Sequence, residues 1–385
     1  GLRVTVFDRM PSVGRKLLMA GRGGLNLTHS EPIDKFVQRY ADASAWLGPA
    51  IARFSPDDLR AWADGHGEET FVGSSGRVFP RSFKASPLLR AWLRELGDLG
   101  VVLETRRHWT GWSHDGALDF SDGSSFAADV CVLALGGASW PRLGADGNWV
   151  SVLAGKGIEV VPLVASNAGV DCKWSDITIA RHAGAPLKRI ALTLAGRTVR
   201  GEAIISRSGL EGGAIYAVSR ELRDALANSG QCDLQLDLRP DLDVSQLAAR
   251  LAKVPRKQSL SNRLRKTAGL SPQAISVWRD CVHPMTFQTD EALAGSLKTV
   301  VVTVTGIGSI DRAISSAGGI AAGEVDADFM LTKLPGVFVC GEMLDWDAPT
   351  GGYLLQACFA TGNAAGEGAA AFARKPVETA VADPD

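Results

Sequence analysis

Hydrophobic and polar positions change period several times along the chain, and the changes mark out its elements. In residues 2–8, Leu2, Val4 and Val6 alternate with Arg3, Thr5 and Phe7, which predicts a strand ending on Asp8. Residues 32–65 carry Trp46, Leu47, Ile51, Phe54, Leu59 and Trp62 at helical spacings, with a break at Ser55-Pro56. Pro56 with Asp57 and Asp58 behind it suits the first turn of a helix. Gly76 to Pro80 reads as a turn and short strand. After Ser86-Pro87 a helix runs to Leu96, with Leu88, Leu89, Trp92, Leu93 and Leu96 on one stripe. A strand is predicted at 101–104, and a hairpin joins strands near 110–112 and 117–120 through His114-Asp115-Gly116. Residues 129–135 are almost wholly apolar and run into Gly136-Gly137, which predicts a buried parallel strand.

Near residue 164 the pattern shifts. Short strands at 190–194, 198–205, 232–238 and 300–305 alternate with helical stretches at 214–228, 245–251, 258–268 and 272–281. This predicts an inserted mixed α/β domain at 164–305, between a first part at 1–163 and a second at 306–385. The second part holds a turn, an apolar strand and a Gly-acid pair over 334–342. A helix follows from Gly351-Gly352, and its continuation at 364–370 has small residues suited to close packing on a sheet.

Length and composition narrow the class. At 385 residues the chain is long enough for two or three domains. It is 45% hydrophobic and 22% charged, which is globular. The net charge of -1 argues against a protein held electrostatically on nucleic acid. The basic run from Lys253 to Lys266 reads as a solvated helical face without the aromatic interleaving that stacked bases require. Six dispersed cysteines without a CxxC pair read as reduced thiols of a cytoplasmic protein. No apolar run is long enough to predict a membrane span. There is no HxH, HExxH or GxSxG, so metal and hydrolase chemistry lack support. Glycine, at 43 residues, is in excess and clustered.

The clusters fall where a dinucleotide would be held. In a dinucleotide-binding unit the second strand ends on an acid, its carboxylate accepting from ribose hydroxyls. That role is assigned to Asp8. The accompanying glycine fingerprint belongs about 20 residues earlier, so the chain is expected to be N-terminally truncated, lacking strand 1 and the phosphate-binding turn. The stretch from Gly14 to Thr28 then offers a glycine-rich basic loop. Its glycines expose backbone N–H groups, Arg15, Lys16 and Arg22 can neutralise a pyrophosphate, and Asn26 and Thr28 add neutral donors. Gly136-Gly137 is a second place for close backbone approach. Glu342, after Gly341, can bond a ribitol hydroxyl or a water on the phosphate side. A helix opening on Gly351-Gly352 points free N–H groups and its positive dipole end outward, where the anionic edge of a reduced flavin would be stabilised.

These segments together resemble a family of FAD-dependent oxidoreductases, variously called aminoacetone oxidases and bile-acid-reductase-like (BaiN-like) proteins. The resemblance covers nearly the whole chain. It rests on Gly14-Arg15-Lys16 through Gly24-Leu25-Asn26-Leu27-Thr28, and on Ala134 to Pro141, Gly201-Glu202 to Gly212, and Ser316 to Ile320. Gly341-Glu342-Met343-Leu344-Asp345 with Thr350-Gly351-Gly352-Tyr353 is the most specific part. It implies an α/β fold: a Rossmann-like FAD-binding domain of glutathione-reductase type, interrupted by a β-barrel-like domain with a helical subdomain. It also implies that Asp8 holds the adenosine ribose, that Arg15 and Lys16 flank the adenosine side, and that Gly23, Gly24, Asn26 and Thr28 lie along the flavin side. Gly136 would approach the adenine-ribose region, Gly341 and Glu342 the pyrophosphate and ribitol, and Gly351, Gly352 and Tyr353 the isoalloxazine.

The chain departs from the family where Thr-His-x-Gly-x-Ser-Gly is common. Here the run is Ser206-Arg207-Ser208-Gly209-Leu210-Glu211-Gly212, and Trp140 stands where a Tyr is usual. Arg207 is the catalytic candidate, able to bind an anionic substrate if it faces the flavin; a salt bridge to Glu211 is its structural alternative. The expected function is hydride transfer at flavin N5 on a small organic substrate, with NAD(P)H considered as donor. No separate GxGxxG unit for NAD(P) occurs in the insertion, so a pyridine nucleotide would bind at the flavin face. The alternatives are a flavin-binding regulatory or partner-binding protein without turnover, and a flavin-dependent RNA-modifying enzyme. Among the histidines, His29 reads as a cap or surface residue, His283 as structural, and His66, His108, His114 and His182 as solvent-exposed.

Overall fold

The computed structural model describes residues 1–282 and 287–374, so His283 lies outside the described residues, as does the side chain of Arg22. The chain divides into two compact units, one of residues 1–164 with 315 onward, the other of residues 165–314. The second boundary falls nine residues later than the pattern predicted. The segment after the last barrel strand stays with the insertion because Gly308 N donates to Gly169 O (2.8 Å) and Ile314 N to Asn167 O (3.3 Å). The strand Val160–Ser166, which runs across the first boundary, lies beside Ser315–Ile320 in a two-stranded sheet. The insertion therefore begins and ends at neighbouring places.

The first unit contains two parallel strand pairs. Thr5–Asp8 pairs with Val102–Thr105, and Cys131–Leu133 with Val337–Val339. The strand expected to be buried at 129–135 is shorter than its apolar run, and Val132 is 41% exposed. Two antiparallel three-stranded sheets accompany the pairs: Thr28–His29 with Arg77–Pro80 and Thr70–Val72, and the expected hairpin Trp109–Trp112 with Leu118–Phe120, extended by Ser125–Phe126.

The helices around these strands begin where local chemistry directs. Pro56–Gly65 starts on a capping box, in which Ser55 and Asp58 each bond the other's backbone N–H, with proline in the first turn. Ala85–Asp98 buries Ala85, Leu88 and Leu89. The region read as a glycine-rich loop is in fact ordered. Arg15–Ala20 is a helix that starts on Gly14 in the left-handed region, and Gly21–Gly23 is a 3-10 turn. The helix Tyr353–Ala373 buries Ala357, Ala360, Ala364 and Ala365. A Cβ on Gly368 would lie 2.7 Å from the Asp328 Cβ and 2.8 Å from the Phe338 ring, so glycine permits this close seat.

The second unit is a closed six-stranded antiparallel barrel. Its order around the ring is Val170–Cys172, Gly209–Glu211, Arg197–Ile205, Pro186–Leu194, Cys232–Asp237 and Val300–Ile307. Alternation does the sorting: Val300, Val302 and Val304 are buried while Val301, Thr303 and Thr305 are exposed. The helices Val244–Ala252, Leu260–Thr267, Pro272–Cys281 and Asp290–Lys298 share one apolar core with the barrel. The basic run is solvated at Lys253, Arg256, Lys257, Arg265 and Lys266. Arg263 is the exception, since it is buried and paired with Asp290 at 2.6 Å.

Candidate cofactor site

Residues from the two ends of the chain meet within the first unit. Lys16 Nζ donates to Glu342 Oε2 at 2.5 Å and to Ser139 Oγ at 2.8 Å. Gly137, two residues before Ser139, is pressed against Ser316, whose Oγ accepts from Ala138 N at 3.0 Å; a Cβ at Gly137 would overlap that hydroxyl. Gly341 has φ 67, and its N–H donates to Thr361 Oγ1 at 3.0 Å. Lys16, Ser139, Glu342 and Gly341 thus form one polar cluster where the first helix, the loop after Cys131–Leu133 and the loop after Val337–Val339 converge.

Asp8 ends its strand as expected. Its Oδ1 accepts from Met10 N at 2.7 Å, and no other hydrogen bond to the carboxylate forms among the described residues. Arg9 beside it is ion-paired with Asp146 and donates to Pro141 O at 3.0 Å, which ties this strand end to the loop after Gly136-Gly137. Gly136 has φ 72, and its carbonyl accepts from Trp149 Nε1 at 2.8 Å. Arg15 Nε donates to Ser12 Oγ at 3.0 Å, and Arg15 has no carboxylate partner among the described residues.

A second cluster surrounds the double glycine. Gly351 and Gly352 have φ 138 and 101, and a Cβ on Gly352 would overlap the Thr28 carbonyl. The helix from Tyr353 has no side-chain cap, so its first N–H groups are open to an acceptor. Beside it, Thr28 is fully buried, and neither Thr28 Oγ1 nor Asn26 Oδ1 has a partner. Buried polar atoms without partners are costly. Gly23 faces open space, whereas Gly24 packs against Phe83 and Phe79.

Tyr353 is buried in a network that no local pattern in the sequence signals. Its hydroxyl donates to Glu31 Oε1 at 2.6 Å, and Arg39 grips Glu31 through Nε at 2.9 Å and a terminal nitrogen at 2.6 Å. The ring stacks on His29 at 5.5 Å and tilts against Phe36 at 4.8 Å, with the Arg39 guanidinium 5.8 Å away. Burial, reinforced by the Glu31 carboxylate, holds the phenol well above its usual range, so Tyr353 stays protonated. The Arg39 hydrogen bonds hold Glu31 below the usual carboxylate range despite its burial. His29 is fixed through Ser75 O (3.0 Å) and accepts from Glu31 N (3.1 Å), so it is part of this network rather than a cap.

Two other expectations change. His66 is not solvent-exposed: its side chain is 9% exposed and bonds Trp62 O and Glu95 at 2.8 and 2.7 Å. Arg207 lies exposed in the tight turn of the second unit between Arg197–Ile205 and Gly209–Glu211, and it forms no ion pair with Glu211 among the described residues.

Comparison with known proteins bears on this arrangement. The family described as HI0933-like protein Rossmann domain matches residues 1–368. The chain belongs to that family. It is a family of FAD-dependent oxidoreductases. The HI0933-like chain is 27% identical to the 3-dehydro-bile acid delta(4,6)-reductase of Clostridium scindens, over 96% of this chain and 93% of that protein. It is 23% identical to the ribosomal RNA dihydrouridine synthase of Escherichia coli, over 92% of this chain and 89% of that one. Among solved structures, an open-conformation flavocytochrome c3 fumarate reductase overlays with a TM-score of 0.48 at 13% identity, covering 97% of this chain and 78% of that chain. No helix among the described residues is long and apolar enough to cross a membrane.

Proposed function

We propose that the first unit of this HI0933-like chain holds FAD along the line from Asp8 to Gly352, for hydride transfer with a small organic substrate and NAD(P)H as donor. The observation that carries this reading is the double glycine at an uncapped helix start, with Gly352 pressed on the Thr28 carbonyl. When bound, the flavin supplies hydride chemistry at N5. The protein's part is holding and orienting. Asp8 accepts from ribose hydroxyls, and Arg15 offers charge on the same side. Lys16 and Glu342 present a charged pair to the middle of the cofactor. The helix start at Tyr353 stabilises negative charge by its dipole, and the segment of Asn26 and Thr28 lies along the flavin side. Tyr353, locked as a donor to Glu31, braces the double glycine and does not serve as a base. The name of the 27%-identical relative supports an activated carbon–carbon double bond as the substrate group. The six free cysteines suit a reducing, cytoplasmic setting.

The test is anaerobic titration of the FAD-loaded protein with NADPH and then NADH. Loss of the flavin band at about 450 nm supports the donor reading. An unchanged band with both nucleotides sinks it and leaves a flavin-binding partner protein as the alternative.

A second reading, reduction of a uridine in RNA, is favoured by the dihydrouridine synthase relative and by charge. The near-zero net charge that argued against nucleic acid conceals a segregation. Residues 165–314 carry 20 Lys and Arg against 14 Asp and Glu, while the remainder carries 21 against 28. Nucleoside mass spectrometry of ribosomal RNA incubated with the reduced holoenzyme separates the two readings: new dihydrouridine selects RNA.

A further inference from the structure

A cavity of about 250 Å³ opens beside the barrel of the second unit. Its walls come from the strand Pro186–Leu194, from Leu238 and Arg239, from Gly269, and from the start of the helix Pro272–Cys281. Three of its eleven lining residues are cations, Lys188, Arg189 and Arg239, and none is a carboxylate.

The backbone is bent to place two of these charges. Pairing with Arg197–Ile205 shifts between Leu187 and Ile190, so Lys188 and Arg189 form a bulge, a device that re-aims side chains. Arg189 sits at φ 53, in the left-handed region disfavoured for a residue with a Cβ. Neither the Lys188 nor the Arg189 side chain has a hydrogen bond or ion pair among the described residues. The Arg239 guanidinium donates to the carbonyls of Ala268, Gly269 and Leu238, so its hydrogen bonds go to backbone and not to a carboxylate. The acids nearby are otherwise engaged: Asp237 pairs with Lys298 at 2.6 Å and Asp241 with Arg200 at 3.0 Å. Burial, and then the charge of Arg189, press Arg239 below the usual guanidinium range, while Asp241 and Asp237 act in the opposite direction. The ten-residue helix Pro272–Cys281 begins at the cavity, with its cap Ser271, Gln273 and Ala274 in the wall, and its positive end adds to the same field.

Lys188 and Arg189 are exposed, and three cations lining one concavity raise the local positive potential, which favours an anion there. The size decides which anion. Sites for drug-sized ligands begin at roughly 300 Å³, so this cavity suits a single tetrahedral group and not a dinucleotide. We propose that the cavity is a phosphate-binding site, in which Lys188 and Arg189 of the bulge, Arg239 and the helix start receive a phosphate group borne by an RNA backbone or by a small phosphate ester. Two extended cations supply the reach, and the pinned Arg239 supplies a fixed floor.

The experiment uses the full-length, FAD-loaded protein and inorganic phosphate, followed by calorimetry. The wild type is expected to bind phosphate saturably. The double variant Lys188→Ala with Arg189→Ala is expected to bind about tenfold or more weakly, since two charge-assisted contacts are lost. A second variant, Arg189→Gly, removes the cation and relieves the left-handed residue, so it should melt no lower than wild type and still bind phosphate less well. Absence of saturable binding by the wild type, or wild-type affinity in either variant, overturns the proposal. A short single-stranded RNA without terminal phosphate identifies the source. If its affinity falls in the double variant, the phosphate is that of an RNA backbone; if it does not bind, or binds both proteins equally, the ligand is a small ester.

Discussion

Lys16 and Glu342 stand 326 positions apart in sequence, and a 2.5 Å contact joins them. Their side chains are 28% and 13% exposed, so the pair is shielded from full solvent screening. Replacing Lys16 with Met leaves a largely buried carboxylate without its cation, at a cost of roughly 1–3 kcal/mol. We expect a thermal midpoint lower by a few degrees and a lower flavin-to-protein ratio after gel filtration. Adding Glu342→Gln removes the stranded charge, so the double variant should recover most of the stability. Its flavin content should stay low if the pair holds the cofactor. Recovery of both together would assign the pair to folding alone. Ser139 and Ser316 lend the same cluster its hydroxyls.

The helix Tyr353–Ala373 is held at its first turn by groups from an early segment of the chain. Tyr353 Oη donates to Glu31, and Tyr40 Oη donates to Tyr353 O at 2.7 Å. Glu31 is held below its ordinary range in the folded protein, so its contribution is present above the unfolded value of about 4.3. That contribution is lost as pH falls through the lower folded value. Tyr353 is raised, so its contribution is present below the unfolded value of about 10 and is lost as pH rises beyond it. Chemical denaturation across pH should therefore show wild type losing stability at both extremes, with a flatter acid limb in Glu31→Gln and a flatter alkaline limb in Tyr353→Phe. Identical slopes in variant and wild type would count against the network.

Elements signalled by local chemistry were legible in the sequence. The proline start at Pro56, the hairpin at His114-Asp115-Gly116 and the double-glycine helix all form. The helices Asp176–His182 and Asp290–Lys298 were not assigned, although Ser175 and Thr289 cap them. Short strands such as Val170–Cys172 and Gly209–Glu211 carry too few residues to show a period, and their partners alone define them. At the site, glycines and charged residues could be named from residue type. Glu31 and Arg39 could not be linked to Tyr353, because folding alone brings them together.

At the scale of the whole molecule, two cores of separate make-up share one chain. Chains of this kind commonly melt in more than one step. Differential scanning calorimetry should resolve two transitions. FAD at about 100 times its Kd should raise only that of the first unit, by about 2.7 kcal/mol of added stability. Equal movement of both transitions would mean that the flavin also depends on the insertion. Because Asn167 and Ile314 touch, and Val160–Ser166 lies beside Ser315–Ile320, the intervening barrel hangs from its host by adjacent threads. Ends that lie so close cost little extra loop-closure entropy to bring together, so an insertion of this length adds little to the folding cost of the unit that carries it.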